Sequence, residues 1–363
     1  MKKLDVCIIM KNESANIERC LMCLVKKGFG DGGKLGKIIV VDTGSTDDSV
    51  SIAKRYVKDV YEYVWKDDFA DAKNYAVGCA DAEYVMVVDA DEYLLEFDEN
   101  EFDEFTKYNS DKIGQVSRNN LIEADGIIAS QKDWTERIYN KELYFFTGRI
   151  HEQLVPIGHS TNLTEDKYVK INVNFEHSGY LLSREELGKK ALRNRQLLEE
   201  EMRIDSTPYL HFQMAQSYML ERDTKHALEW YDKTLAFDLN PADEYVQMTV
   251  IGYGECLLDN GMEEKALDLA GVYDDFSFSP DYVFLMGQIY LNNNMPIEAY
   301  KEFAKCLTMD KRNARGDGVT DVYPLHNIGV INEMLGDKES ARLFYSKAAN
   351  LGYARSKARL EEI

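Results

Sequence analysis

Residues 85–94, "VMVVDADEYL", carry the strongest indication of how this chain folds. Four apolar residues run directly into a group of acids, Asp89, Asp91 and Glu92. Ionised carboxylates repel one another, and burying them without a partner is unfavourable. The end of this apolar run therefore predicts a positively charged partner beside the three acids.

The sequence around this stretch alternates short apolar runs with helical patterns as far as residue 180. Continuously apolar strands that alternate with helices indicate a mostly parallel sheet with both faces covered. Ligands of such sheets bind beyond the carboxyl ends of the strands, which is where Asp42 and Asp89 stand. The runs that predict strands are 4–10, 37–42, 60–65 and 84–89.

The remainder of the chain is helical and repetitive. Four segments align on alanines in the second helix of each repeat, at a spacing near the roughly 34 residues of a tetratricopeptide repeat. These alanines are Ala227, Ala266, Ala299 and Ala341. Small residues let paired helices approach, and aromatic residues fill the space between them: Tyr218, Tyr231, Tyr290, Phe303 and Tyr345. We predict domains at 1–180 and 206–363, joined by a connecting helix at 181–205, because four repeats suffice for a short solenoid.

Composition excludes some partners. The 363 residues carry a formal net charge of −21, which disfavours a nucleic-acid backbone as partner. No apolar run reaches the ~18 residues of a membrane span, and the first apolar run is too short for a signal peptide. We therefore expect a cytoplasmic protein.

Cys20 and Cys23 form a CxxC pair without a second pair to complete a zinc site, so we expect buried, reduced thiols.

Five stretches resemble a known family when they are taken together and in order. They are "IIMKNESANIERCL", "IIVVDTGSTDDSV", "DDFADAKNYA", "VVDADEYL" and "FTGRIHEQL". They are similar to the inverting nucleotide-sugar glycosyltransferases with the GT-A fold, glycosyltransferase family 2. With tetratricopeptide repeats added, the chain resembles the bacterial peptide S-glycosyltransferases. The likeness covers most of residues 1–205 and implies a Rossmann-like, nucleotide-binding catalytic domain.

The resemblance identifies "DAD" as the DXD motif and implies Mn²⁺ or Mg²⁺ as the positive partner of its acids. Such ions take oxygen ligands and are usually held by few carboxylates plus substrate phosphates. Asp91 would hold the metal, and Asp89 would contact the metal or the ribose. Side chains two apart on an extended segment face the same way, so we expect both acids to converge on one ligand, with Glu92 facing away or acting through a water. His151 and His177 are further candidate ligands, and a structural role is the alternative for each.

The family pattern also implies contacts with the nucleotide, for which UDP is expected. Asp42 would accept from the imide N–H of the uracil, although a turn capped by Ser45 or Asp47 explains the same stretch. The other residues assigned to the donor are Met10, Asn12 and Glu13 near the nucleoside, and Lys73 and Arg149 near the phosphates.

Inverting transfer also needs a base that removes the acceptor proton. Glu152, in "FFTGRIHEQL", is the candidate, and an internal salt bridge is the alternative role for this cluster. Asp125, Asp133 and Glu136 are rival bases.

The expected function is a metal-dependent inverting glycosyltransferase that uses a UDP sugar and glycosylates a peptide or protein. The repeats would recruit this acceptor, form a homodimer, or do both. The alternatives are a transferase acting on a cell-envelope glycan or lipid-linked sugar, and a repeat scaffold with an inactive domain. A nucleotidyltransferase would normally show a glycine-rich, basic loop after the first strand, and "MKNESANIE" has neither feature.

Overall fold

The computed structural model describes residues 3–124, 127–158, 163–179 and 183–363. The chain divides into two compact units: residues 1–186 with 196–201, and residues 187–195 with 202–363. Within the described ranges, no helix is both long and apolar enough to cross a membrane.

The first unit is built on an eight-stranded sheet, and its first half is parallel as predicted. Four strands lie side by side in the order β3-β2-β1-β4, all pointing the same way. Their bounds are β1 Leu4–Met10, β2 Ile38–Asp42, β3 Asp59–Glu62 and β4 Tyr84–Asp89. Asp42 at the end of β2 and Asp89 at the end of β4 therefore lie at the same edge of the sheet, with β1 between them.

The second half of the sheet was not evident from the sequence patterns. It continues from β4 in the order β7-β6-β10-β5. The bounds are β5 Glu92–Phe97, β6 Ile113–Ala124, β7 Ile127–Asn140 and β10 Tyr168–His177. β7 runs antiparallel to β4 and to β6, whereas β10 is parallel to β6 and antiparallel to β5. A separate hairpin pairs β8, Tyr144–Thr147, with β9, Gln153–Pro156.

Both faces of the sheet are covered, which confirms the α/β prediction. Alternate residues of β1 enter two different cores: Val6 and Ile8 pack in one, and Cys7 packs in the other. The helices of this unit are α1 Ile17–Lys26, α2 Ser49–Ala53, α3 Phe69–Gly78 and α4 Glu99–Tyr108. α3 begins after Asp68, whose side chain accepts from the Asp71 N–H.

A long helix, α5 Arg184–Met202, contributes residues to both units, and the second unit is otherwise helical. Its helices are α6 Pro208–Met219, α7 Thr224–Leu235, α8 Glu244–Asp259, α9 Glu263–Ala266, α10 Tyr273–Phe276, α11 Pro280–Asn292, α12 Pro296–Cys306, α13 Val322–Met334, α14 Lys338–Asn350 and α15 Ala354–Glu362. The four repeat alanines are fully buried. The second helix of the second repeat is broken, because a 3₁₀ segment, Leu267–Val272, separates α9 from α10. Gly271 lies in that segment and disfavours a helix there.

Small residues face aromatic rings in the repeats, as the sequence predicts. A Cβ atom placed on Gly287 would lie 2.6 Å from the Phe303 ring, and one on Gly329 would lie 2.6 Å from the Tyr345 ring. Glycine is therefore needed at both positions for the paired helices to approach this closely.

Candidate active site

Asp89 ends β4 and lies between two basic side chains. Its Oδ2 atom accepts from Arg137 Nη2 at 2.8 Å, and its Oδ1 atom is 3.3 Å from Lys73 Nζ. Burial raises the pKa of this carboxyl, but the charges of Arg137 and Lys73 outweigh burial and hold the pKa well below its usual value. Asp89 is therefore ionised, and the positive partners predicted from the sequence include protein side chains.

Glu92 is buried beside Asp89, so the expectation that it faces away is wrong. Its side chain is 1% exposed and accepts from Arg137 at 2.5 Å and Arg118 at 3.2 Å. The Asp89 N–H also donates to Glu92 Oε2 at 3.1 Å. Glu92 is the first residue of β5 and lies opposite His177 of β10.

Asp91 has a different neighbour because the backbone does not stay extended after Asp89. Residues 90 and 91 form a turn, so the expected extended geometry is wrong. Asp91 Oδ2 lies 3.3 Å from His177 Nε2. A Cβ atom at Gly179 would overlap both of these atoms, so only glycine leaves room for this arrangement.

His177 and Asp133 are joined through Asn120. His177 Nδ1 is 2.7 Å from Asn120 Oδ1, and Asn120 Nδ2 donates to Asp133 Oδ2 at 3.0 Å. Arg118 donates to both oxygens of Asp133, at 3.1 and 2.8 Å. A carboxylate that accepts these three hydrogen bonds is poorly prepared to act as a base.

The other rival bases differ in their surroundings. Glu136 accepts from Gln115 Nε2 at 3.0 Å. Asp125 lies outside the described residues.

Lys73 connects Asp89 to Glu152, the predicted base. Its Nζ atom contacts both Asp89 and Glu152, and its side chain is only 5% exposed. Burial lowers the pKa of Lys73, but the two carboxylates outweigh it and raise the pKa above its usual value. The structure thus brings Asp89, Lys73 and Glu152 together although they come from β4, α3 and the segment before β9.

Arg149 and His151 are placed differently from the rest of the predicted set. Arg149 Nη1 pairs with Glu200 at 3.1 Å, and the Arg149 N–H donates to Glu201 at 3.3 Å. His151 is half-buried and has a backbone φ of 51°. The predicted phosphate contact of Arg149 would therefore compete with an ion pair inside the first unit.

Metal-ligating side chains do not form a large cluster in the described part of the chain, where no three His, Cys, Asp or Glu residues converge on one point. The predicted ligand set of Asp89, Asp91, His151 and His177 is thus not assembled as a whole. The Asp91–His177 pair is assembled.

The loops after β1 and β2 are joined by hydrogen bonds. Asn12 has a φ of 57°, donates its N–H to Ser45 Oγ at 2.9 Å, and accepts from the Thr46 N–H at 2.7 Å. Asp42, opposite Met10 in the parallel register, accepts from the Gly44 and Ser45 N–H groups. The sequence offered a capped turn as the alternative to a nucleotide contact at this stretch. That turn is present, and it orients the Asp42 carboxylate.

Glu13 and Asp47 extend this loop network. The Glu13 N–H donates to Ser49 Oγ at 2.7 Å, and Glu13 Oε2 accepts from Asn16 at 2.8 Å. Asp47 accepts from the Ser14 and Ser49 N–H groups. Burial raises the pKa of Asp47, but hydrogen bonds from Ser49 and Ser14 outweigh it and lower the pKa to about 2. Asp47 therefore acts as a loop cap.

Sequence reasoning missed Arg118, Asn120 and Arg137. Arg137 carried a usable signal, because it directly precedes Ile138 and Tyr139 in a stretch of strand-forming residues. Basic residues are almost never fully buried unless they are paired, and Arg137 is 5% exposed. A buried arginine of this kind marks the position of buried acids.

Comparison with known proteins agrees with the fold. Residues 5–153 match the family model described as glycosyl transferase family 2. Residues 280–313 match the model described as tetratricopeptide repeat. The chain therefore contains a region similar to a family 2 glycosyltransferase domain and a region similar to a tetratricopeptide repeat. The matched region of that domain contains Asp42, Lys73, Asp89, Asp91 and Glu152.

Similar proteins carry corresponding names. The SPbeta prophage-derived glycosyltransferase SunS of Bacillus subtilis (strain 168) is 29% identical over 243 residues, covering 63% of this chain and 52% of SunS. An uncharacterized glycosyltransferase of Rickettsia prowazekii (strain Madrid E) is 31% identical over 201 residues, covering 53% of this chain and 65% of that protein. A TPR repeat-containing protein of Synechococcus elongatus is 32% identical over 95 residues, covering 26% of this chain and 22% of that protein. The chain spans about half the length of SunS.

Proposed function

We propose that this protein is a metal-dependent inverting glycosyltransferase that transfers a sugar from a UDP donor to a peptide or protein. The observation that carries the proposal is the arrangement at the carboxyl end of β4. Asp91 faces His177 at 3.3 Å there, and Lys73 links Asp89 to Glu152. A family 2 glycosyltransferase domain supplies the reaction class.

The Asp91–His177 pair fits a divalent cation. A carboxylate oxygen and an imidazole nitrogen are suitable ligands for Mn²⁺, and two protein ligands leave positions for water and a diphosphate. Asp91 and His177 would hold the ion, and the ion would supply stabilisation of the negative charge that develops on the leaving diphosphate. His151 is the further candidate ligand that the family pattern implies.

Asp89 suits the ribose better than the metal. Arg137 and Lys73 already neutralise its charge, which makes it a weak ligand for a further cation. Its carboxylate retains side-chain exposure of 34% and could accept a hydrogen bond from a ribose hydroxyl. Asp42 would accept from the uracil imide beside Met10, and Asn12 and Glu13 would shape the loops around the nucleoside.

Glu152 is the proposed base. The contact with Lys73 fixes its position relative to Asp89. It would take the proton of the acceptor while the acceptor attacks the anomeric carbon opposite the diphosphate. An acceptor thiol that is already ionised would need no such base.

The repeats support the choice of a macromolecular acceptor. Helical repeats of this class create extended concave surfaces that suit an extended peptide. A homodimer formed through the repeats is the other proposed role, and both roles are compatible with one reaction in the first unit.

A donor panel tests this proposal. Each nucleotide sugar is incubated with the full chain in Mn²⁺, in Mg²⁺ or in chelator, and released nucleotide is measured. We expect release of UDP from a UDP sugar that requires the metal, is lost in Asp91→Ala, and is kept in Asp111→Ala. Asp111 is a matched control because it is an exposed acid of the same unit that pairs with Lys167. No release from any donor would favour the inactive scaffold.

A further inference from the structure

We infer that Asn120 and Asp133 are positioning residues that fix the tautomer of His177, so that Nδ1 carries the proton and Nε2 faces Asp91. This inference rests on the proposed function for its purpose, because the Nε2 atom is the proposed metal ligand. The tautomer itself is a property of the protein alone. Nothing in the sequence pattern identified Asn120, and Asp133 was considered only as a rival base.

The strand register brings the four side chains into a row. Asn120 on β6 lies opposite His177 on β10 in the parallel pair. Arg118, two residues earlier on β6, lies opposite Asp133 on β7 in the antiparallel pair. Residues two apart on a strand face the same side of the sheet, so Arg118 and Asn120 both reach the Asp133 carboxylate.

The orientation of the Asn120 amide follows from Asp133. Arg118 donates two hydrogen bonds to Asp133 in a bidentate pair, which is the geometry of guanidinium with carboxylate. A carboxylate in such a pair accepts hydrogen bonds, so the Asn120 group 3.0 Å away must be the NH₂ that donates. The carbonyl oxygen of Asn120 is then the atom that faces His177.

The tautomer of His177 follows in turn from Asn120. A carbonyl oxygen only accepts hydrogen bonds, so the Nδ1 atom 2.7 Å away must carry the proton. Reversing the amide would place its oxygen against the Asp133 carboxylate. That contact would be repulsive, and Asn120 and His177 are only 5% and 6% exposed, so water has little access to compensate.

The consequence lies at the other side of the imidazole ring. In the neutral ring with a proton on Nδ1, the Nε2 atom presents a lone pair. That atom is 3.3 Å from Asp91 Oδ2, so the ring already directs its ligating nitrogen toward the second acid of the DXD motif. A metal-ligating histidine commonly donates its other N–H to a fixed acceptor, which orients the ring and selects the tautomer.

The test measures the tautomer in the metal-free full chain. Long-range ¹H–¹⁵N spectra of histidine-labelled protein distinguish a protonated ring nitrogen from an unprotonated one, and His177→Gln assigns the signal among the six histidines. We expect a proton on Nδ1 in the wild type, whether or not Nε2 also carries one toward the Asp91 carboxylate. Asn120→Ala should lower the protonated fraction of Nδ1, and Asp133→Asn should do so as well if Asn120→Ala folds poorly.

Asn119→Ala is the matched control because Asn119 is the neighbouring asparagine on β6 and donates to Asn174 instead of contacting His177. It should leave the His177 signal unchanged. A wild-type His177 that lacks a proton on Nδ1, or one unaffected by Asn120→Ala and by Asp133→Asn, would overturn the inference.

Mn²⁺ titration followed by electron paramagnetic resonance gives the second readout. Loss of the positioning contact should weaken Mn²⁺ binding by about 10–100-fold in Asn120→Ala, with Asn119→Ala unchanged. Equal Mn²⁺ affinity in Asn120→Ala and the wild type would contradict the inference. A wild type that binds no Mn²⁺ would contradict the proposed function, and the metal-free spectrum would still decide the tautomer.

Discussion

Lys73 and Glu152 form an ion pair although 79 positions separate them in the sequence. Their side chains are 5% and 12% exposed. The same ammonium group lies 3.3 Å from Asp89 Oδ1, so this pair joins helix α3, the end of β4 and the segment before β9. One lysine thus holds the proposed base beside Asp89.

Removing this ammonium should destabilise the first unit. Lys73→Met would leave Asp89 and Glu152 without one of their cations, and the loss of one partner of a buried pair typically costs about 3–5 kcal/mol. Urea unfolding of the full chain measures the change in the free energy of unfolding of the first unit. Lys66→Met is the control, because Lys66 pairs with Asp71 in an exposed position and its removal should have little effect. Equal losses in the two variants would show that the Lys73 contacts do not support the fold.

Removing the proposed base should slow chemistry without weakening donor binding. Glu152→Gln keeps the shape of the side chain and removes its basicity, so we expect kcat on a hydroxyl acceptor to fall by roughly 10²–10⁴-fold. The fall should be smaller for an ionised thiol acceptor. Initial rates and UDP-sugar calorimetry provide the two readouts. Glu142→Gln, an exposed glutamate next to β8, should keep the wild-type rate, and a full-rate Glu152→Gln enzyme on a hydroxyl acceptor would falsify the assignment.

Strands β1, β2 and β4 were predictable because each is a mainly apolar run with a local signal, whereas β3, Asp59–Glu62, is shorter and more polar than the predicted run 60–65. Leu4–Met10 and Tyr84–Asp89 are buried on both sides, so they contain few polar residues to obscure the pattern. The positions of Asp42 and Asp89 followed directly, because a polar residue that ends such a run is visible without knowledge of strand pairing. The repeats were predictable for a similar reason, since buried alanines recur at a nearly constant spacing.

The other half of the site could not be predicted from the same signals. Arg118 and Asn120 face the buried charged cluster from β6, so they interrupt the hydrophobic alternation that would have indicated a strand. Their partners also depend on the order of strands in the sheet, which brings β7, β6 and β10 together. Sequence spacing therefore suggested a metal as the counter-charge of the acids, whereas the structure supplies arginine and lysine for Asp89.

Separating the repeats from the first unit should separate donor binding from acceptor transfer. The proposed boundary at 205 keeps residues 196–201, which belong to the first unit and contain the Glu200 partner of Arg149. Fragment 1–205 should bind UDP sugar and hydrolyse it slowly, and it should lose most transfer to a peptide acceptor.

A series of truncations, compared with the full chain by donor calorimetry and peptide transfer, measures this effect. A cut after residue 195 is the informative comparison, because it removes Glu200 and Glu201 and should weaken the first unit itself. Transfer to the peptide at the full rate by fragment 1–205 would assign the repeats to assembly in place of acceptor recruitment.

Calorimetric titration of UDP into the full chain, with Mn²⁺ and with chelator, tests the metal-assisted donor site most directly. We predict that UDP binds more tightly with Mn²⁺, and that Asp91→Ala abolishes this gain while its melting temperature stays near the wild-type value. Asp111→Ala should bind UDP as the wild type does. UDP binding that is independent of Mn²⁺, or a metal-dependent gain that persists in Asp91→Ala, would contradict the assignment of the metal to the Asp91–His177 pair.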